Sequence, residues 1–285
     1  MNDKYYKEWI SYIRHKRFSV STYRTYTSSV EWFLGKCTKE PSLYTEHDIR
    51  EMLISLKNKN TVNSTITAIR QFYIHILCIE LDWRKLPYTA KQVKIQPIYT
   101  QEEAINILDA TKSTKQKAIL SLIIDCGLRI SEPCSIFISD CSSKEMRITL
   151  RSTKGDKDRV VYPSAHVWSL IKTYWNTWHR KPKKYLFEGQ YIGSPYTSES
   201  IRAFVMRSCA ISGVQYKGVH AFRRFSGTWL VQNGIPETVV ADRLGHNSVK
   251  TLHKHYLIHS PIYLKNIISP LNTKHETLNR NACQV

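Results

Sequence analysis

The stretch His220-Ala221-Phe222-Arg223-Arg224, followed by Leu244-Gly245-His246-Asn247-Ser248-Val249-Lys250-Thr251 and closed by His253-Lys254-His255-Tyr256, decides how this chain is read. His220 and Arg223 stand three residues apart and share one face of a helix. Asn233-Gly234 stops that helix, because glycine enters the left-handed conformation of a C-terminus without strain. Pro236 suits the first turn of the next helix, and Gly245 suits its end. His246 therefore follows directly on a helix stop, with Tyr256 shortly after it. Two imidazoles, an arginine and a phenol are delivered to one neighbourhood.

The charge balance says what such a neighbourhood would meet. Lys and Arg number 42 against 23 Asp and Glu, a formal net charge of +19. That surplus fits a polyanionic partner, most often nucleic acid. Aromatic residues sit among the basic ones, as in Tyr23-Arg24-Thr25-Tyr26. A length of 285 residues supports one large domain or two modest ones, each with its own core. The 7 cysteines are odd in number and form no CxxC pair, so they read as reduced, mostly buried thiols of a cytosolic protein. No signal peptide opens the chain, and no continuous run of ~18 apolar residues is present to span a membrane. The expected compartment is the cytoplasm, with no membrane partner.

Along the chain, residues 1–82 read as a small helical domain. Tyr6, Trp9, Ile10 and Ile13 keep helical spacing, as do Tyr23, Tyr26, Val30, Phe33 and Leu34. Thr45-Glu46-His47-Asp48 resembles a capping box opening a third helix, with Ile49, Met52, Leu53 and Leu56 inward. Ile66, Ile69, Phe72, Tyr73 and Ile76 give a fourth. Periodicity fails over 83–99, where Pro87 and Pro97 bracket Lys91 and Lys94, and this stretch reads as a basic linker. A second capping box, Thr100-Gln101-Glu102-Glu103, starts a domain over 100–270. Lys117–Asp125 is too apolar for a surface helix and is expected in the core, ended by Gly127. Ser131 is placed to cap the next helix, with Pro133 in its first turn. Arg129, beside that core helix, needs an anionic partner, either Glu132 or a phosphate. Met146, Ile148 and Leu150 alternate as a strand, Lys154–Asp158 turns, and Arg159–Tyr162 returns. Helices resume over Val167–Trp178 and Thr197–Ser212, and 271–285 is a polar, partly disordered tail. The fold class expected is mainly α with a small antiparallel sheet.

Attack on a phosphodiester needs a nucleophile, cations on the non-bridging oxygens, a base, and an acid for the leaving oxygen. Arginine forks pair bidentately with phosphate and keep their charge. Histidine moves protons near neutral pH, and a lysine can protonate a departing oxygen. A tyrosine hydroxyl can form a covalent phospho-enzyme. Arg129, Lys154, His220, Arg223, His246 and Tyr256 supply every part, and no Asp/Glu cluster is placed to hold magnesium. No cofactor is expected.

Singly, each of these residues reads as structural; their order carries the argument. The set resembles the tyrosine recombinases, or phage-integrase family, which includes the Xer-like recombinases. Cys126-Gly127-Leu128-Arg129-Ile130-Ser131-Glu132 looks like the first arginine box, and Thr153–Arg159 is similar to the β-hairpin lysine segment. His220–Arg223 matches HxxR, Leu244–His246 matches LGH, and Lys250–Tyr256 resembles the nucleophile segment. The resemblance implies a helical core-binding domain followed by a catalytic domain. It further implies that Arg129 and Arg223 hold the scissile phosphate with His220 and His246, that Lys154 protonates the leaving 5′ oxygen, and that Tyr256 becomes a 3′-phosphotyrosine. Glu132 would support an arginine. The implied partners are double-stranded DNA at specific sites and three further copies of the chain in a synaptic tetramer, with accessory DNA-bending proteins left open. The implied location is the nucleoid, or the cytoplasm of a host cell if a mobile element encodes the chain. No separate arm-binding domain is expected.

Two departures stand out. Arg224 occupies a position where many members carry a second histidine, and is expected to serve packing or a backbone contact. His246 and Tyr256 are one residue further apart than in the commonest members, yet Tyr263 lies too far on to replace Tyr256. The rival readings are a type IB topoisomerase, a catalytically silent DNA-binding protein, and a zinc site at His253, His255 and His259, which lacks a convergent third ligand. The apolar segment Leu257, Ile258, Ile262, Tyr263, Leu264, Ile267 and Ile268 either packs on its own core or docks on a neighbour.

Overall fold

Amphipathic spacing produces the helices of the N-terminal region in the expected order: α1 (Asn2–His15), α2 (Val20–Lys36), α3 (Glu46–Ile54) and α4 (Lys59–Phe72). The structure is a computed structural model and describes residues 2–89, 96–153, 157–178 and 180–245. The chain divides into two units, Met1–Lys94 and Ile95–Val285. In the first, Trp9, Ile13, Val30, Phe33, Ile49, Ile69 and Phe72 are completely buried. The Thr45 hydroxyl accepts from the Asp48 N–H at 3.3 Å, and the Asp48 carboxylate accepts from the Thr45 N–H at 2.9 Å, the reciprocal capping expected. This helix is shorter than its apolar pattern: it ends at Ile54, and Leu56 reaches the core from beyond it.

The segment read as a linker is folded at both of its described ends. Trp83–Lys85 forms a helical turn, Leu86 is buried in the helical core, and the Thr89 N–H donates to Asn63 Oδ1 at 2.8 Å. Tyr99, at the other end, is buried in the second unit and stacks on Phe222 with ring centroids 4.1 Å apart. Proline and lysine content suggested solvent exposure, but contacts distant in sequence decide these positions. Lys91 and Lys94 lie outside the described residues.

The second unit comprises α5 (Gln101–Ala110), α6 (Thr114–Cys126), a short α7 (Glu132–Ser135), strands β1 (Cys141–Ser142), β2 (Arg147–Thr153) and β3 (Lys157–Val161), then α8 (Ala165–Thr177), α9 (Ser198–Ser212), α10 (His220–Gln232) and α11 (Glu237–Leu244). Ala118, Ile119, Leu120, Leu122 and Ile123 show no exposure, so α6 is the core helix the sequence foretold. Each fully buried Leu or Ile contributes about 1.5–3 kcal/mol. The sheet is antiparallel in the order β1-β2-β3. Ile148 faces Val161 and Leu150 faces Arg159 across β2 and β3, with a bulge between Leu150 and Thr153. Met146 stands outside the strand at φ 51°.

A second cluster fixes the loop before α9. The Glu188 carboxylate accepts from the Lys183 and Lys184 N–H groups at 2.9 and 2.8 Å. Lys115 donates to the Glu188 carbonyl at 2.9 Å and lies against the Trp178 and Tyr196 rings.

Three local expectations change. Ser131 precedes α7, but its hydroxyl makes no capping bond. Pro236 lies one position ahead of α11. Only Cys126 and Cys209 are buried among the six described cysteines, all of them free, and Cys78 is exposed. Among the described residues no helix is long and apolar enough to cross a membrane.

Candidate active site

Gly127 ends α6 at φ 61°, and a Cβ there would meet Leu244 Cδ2 at 2.3 Å. Only glycine allows α11 this close to the end of α6, and the chain then turns Arg129 inward. The Glu132 carboxylate, 5% exposed, receives that arginine twice: from its backbone N–H at 2.6 Å and its guanidinium at 2.9 Å. Of the two partners foreseen for Arg129, the carboxylate is the one observed.

Arg223 arrives on the same site from α10. It is 2% exposed, donates to the Gly127 carbonyl at 2.6 Å and to the Leu244 carbonyl, and its guanidinium is 4.0 Å from Glu132 Oε2. Arg159 arrives from β3 and donates to Glu132 Oε2 at 2.6 Å and to the Arg243 carbonyl. Arg129 also donates to the Gly245 carbonyl at 2.8 Å. Three consecutive carbonyls at the end of α11 thus each receive one arginine. Helix ends leave such carbonyls without internal partners and carry partial negative charge, which lets cations stand together under cover. Arg243 itself points back to the Asp125 carbonyl at 3.2 Å.

His220, the first residue of α10, keeps solvent access, but partial burial and then the Arg223, Arg224 and Arg129 charges push its pKa below the ordinary histidine value. The shift favours the neutral imidazole, the form able to accept a proton. The start of α10 is held from α5: the Glu103 carboxylate closes the capping box with Thr100 and binds Lys217 at 2.6 Å, and the Lys217 N–H donates to the Tyr99 hydroxyl at 2.8 Å. Arg224 donates to the Pro97 carbonyl at 2.8 Å, a backbone contact away from the cluster.

The structure therefore brings Arg129 and Arg223 together at Glu132, with His220 close enough to feel their charges. Lys154, His246 and Tyr256 lie outside the described residues, as do His253, His255 and His259 and the apolar segment beyond Tyr256. Among the described residues no group of three or more His, Cys, Asp or Glu side chains could hold a metal ion. Arg159 was not singled out from the sequence as a site residue. The signal was its strand parity: it shares a face with buried Val161 and pairs with buried Leu150.

Residues 98–261 match the family model described as the phage integrase family, and residues 5–83 match the phage integrase N-terminal SAM-like domain. The chain is 26% identical over 293 residues to the tyrosine recombinase XerC of Thermodesulfovibrio yellowstonii, covering 95% of this chain and 96% of that one. The crystal structure of XerA recombinase is similar with a TM-score of 0.55 and 25% identity, covering 96% and 98% of the two chains. A lambda integrase(75-356) dimer bound to a COC′ core site gives a TM-score of 0.72 at 15% identity, covering 87% and 96%, a likeness of fold.

Proposed function

The chain belongs to the phage integrase family, and from that premise we propose how its own residues carry out site-specific DNA strand breakage and rejoining. It is a tyrosine recombinase; the topoisomerase reading is not favoured by matches that span both units. The observation that carries the assignment of the pocket is the surplus of buried positive charge at Glu132. One carboxylate faces Arg129, Arg159 and Arg223, and buried charge without a counter-ion is costly. A scissile phosphate is the anion that such a concentration of arginine forks suits.

In this reading residues 1–82 grip DNA as the core-binding domain and residues 100–270 are catalytic. Arg129 and Arg223 bind the non-bridging oxygens and stabilise the charge that grows there. Tyr256 attacks phosphorus, its phenolic proton passes to neutral His220, the bond to the 5′ oxygen breaks, and His246 contributes to the same pocket. Lys154 gives that oxygen its proton, and the product is a 3′-phosphotyrosine. Reversal by a 5′ hydroxyl rejoins the strand, so no metal or nucleotide is consumed. The working assembly is a tetramer on two double-stranded sites in the cytoplasm.

The test is a nicked suicide duplex carrying the recombination site. The wild-type chain should form an adduct that survives denaturation, in the presence of excess EDTA. Tyr256→Phe should bind the same duplex and form none. An adduct from this variant would remove Tyr256 from the reaction.

A further inference from the structure

Strand alternation places Arg159 on the inner face of the hairpin, where a charged side chain is costly without partners. It is 9% exposed there, so the partners it has must matter. One is Glu132 Oε2 at 2.6 Å, the same oxygen that accepts the Arg129 N–H and lies 4.0 Å from the Arg223 guanidinium. The other is the Arg243 carbonyl, next in line to the Leu244 carbonyl that holds Arg223. Gly245 is fitted to this arrangement: a Cβ on it would meet Arg159 Cδ at 2.8 Å.

We propose that Arg159 is a positioning residue for strand cleavage: by occupying Glu132 Oε2 and the end of α11, it keeps Arg223 aimed at the scissile phosphate instead of at Glu132. Arg223 stands just beyond bonding distance of that oxygen. With Arg159 gone, Oε2 loses an ionic partner and the Arg243 carbonyl loses its donor. Arg223, 4.0 Å from that oxygen, is placed to close on it, and closing would draw its fork away from the substrate. Arg159 itself never touches DNA in this scheme. The role rests on the functional reading above.

Arg159→Ala and Arg159→Lys test it in single-turnover cleavage of the suicide duplex. Affinity is measured at several salt concentrations, and cleavage is repeated with a neutral methylphosphonate at the scissile position. Arg159→Ala should cleave the phosphodiester on the order of tenfold to a hundredfold more slowly, the range for a displaced catalytic group. Affinity and its salt dependence should match the wild type. On the methylphosphonate, which carries no charge for a second arginine to neutralise, the deficit should nearly vanish. Lysine keeps the charge without the fork and should restore part of the rate. If the alanine variant does not fold, the smaller deficit of Arg159→Lys must show the same loss on the neutral substrate. Equal deficits on both substrates would mean a structural fault only, and a weaker, less salt-sensitive affinity would mean a phosphate contact. Either result overturns the proposal. A wild-type chain that forms no adduct defeats the functional reading and this role together. Wild-type adduct with an unaffected Arg159→Ala defeats this role alone.

Discussion

Glu132 and Glu188 are buried to the same degree, at 5% and 4% exposure, in one unit, yet they do different things. Glu188 accepts from the backbone of its own loop, and one lysine, Lys115, approaches its carbonyl. Burial alone would raise the Glu188 pKa, but the Lys184 and Lys183 N–H groups overcome this and hold it below the usual carboxylate value. The donors to that carboxylate are N–H groups a few residues away, so a loop is fixed. Glu132 accepts from Arg129 in its own turn and from Arg159 of β3, with Arg223 of α10 4.0 Å away, and the cations around it outnumber it. A buried carboxylate is a structural device when the backbone of its own loop satisfies it, and marks a site when it gathers cationic side chains from distant elements.

The largest effect should come from the surplus itself. Arg223→Ala is expected to slow single-turnover cleavage by on the order of a hundredfold or more, as loss of a charge-stabilising donor does. Affinity and its salt slope should barely change, because many other basic residues reach phosphates. Parallel collapse of binding would make Arg223 an ordinary DNA contact and dissolve the contrast with Glu188.

Next come the two acids themselves, compared by urea unfolding and by cleavage. Glu132→Gln leaves three arginines facing a neutral amide and should cost about 3–5 kcal/mol, as an uncompensated buried charge does. Cleavage should fall with it. Glu188→Gln keeps an acceptor for the two N–H groups, should cost about 1–3 kcal/mol, and should leave the rate of the folded protein unchanged. Equal losses of rate would show that the two clusters are not functionally distinct.

The smallest effect is in pH. The His220 pKa is lowered in the folded chain, so below the ordinary value of about 6.5 the unfolded chain takes up the proton first. Stability linked to His220 is therefore complete above that value and declines as pH falls toward the folded pKa. His220→Gln should narrow the difference between urea midpoints at pH 5.5 and 7.5. An unchanged difference would place the acid sensitivity elsewhere.

Much of this was legible from local signals. The capping boxes at Thr45 and Thr100, the apolar run that became α6 and the glycine stops at Gly127 and Gly245 all depend on neighbours a few residues away. The Arg129–Glu132 pair was legible for the same reason. Arg159 was named only as part of a motif, because its partners, Glu132 and the Arg243 carbonyl, are brought to it by elements far away in sequence. Lys115 was not singled out at all, because the Glu188 carbonyl that it meets lies 73 residues away in sequence. Leu86 and Tyr99 were taken for linker since prolines and lysines surround them, whereas a core on either side claims each one.

The fastening of Arg224 to the Pro97 carbonyl, and of Tyr99 to the Phe222 ring, has a mechanical side. Both attachments fall on α10, directly on either side of Arg223 in sequence. A tether tied at the rim of an enzyme would let tension dissipate through the body before reaching the chemistry. Here the chain enters the second unit and is knotted at once to the helix that bears His220 and Arg223. Tension on Pro97 and Tyr99 would load that helix like a bowstring at its nock.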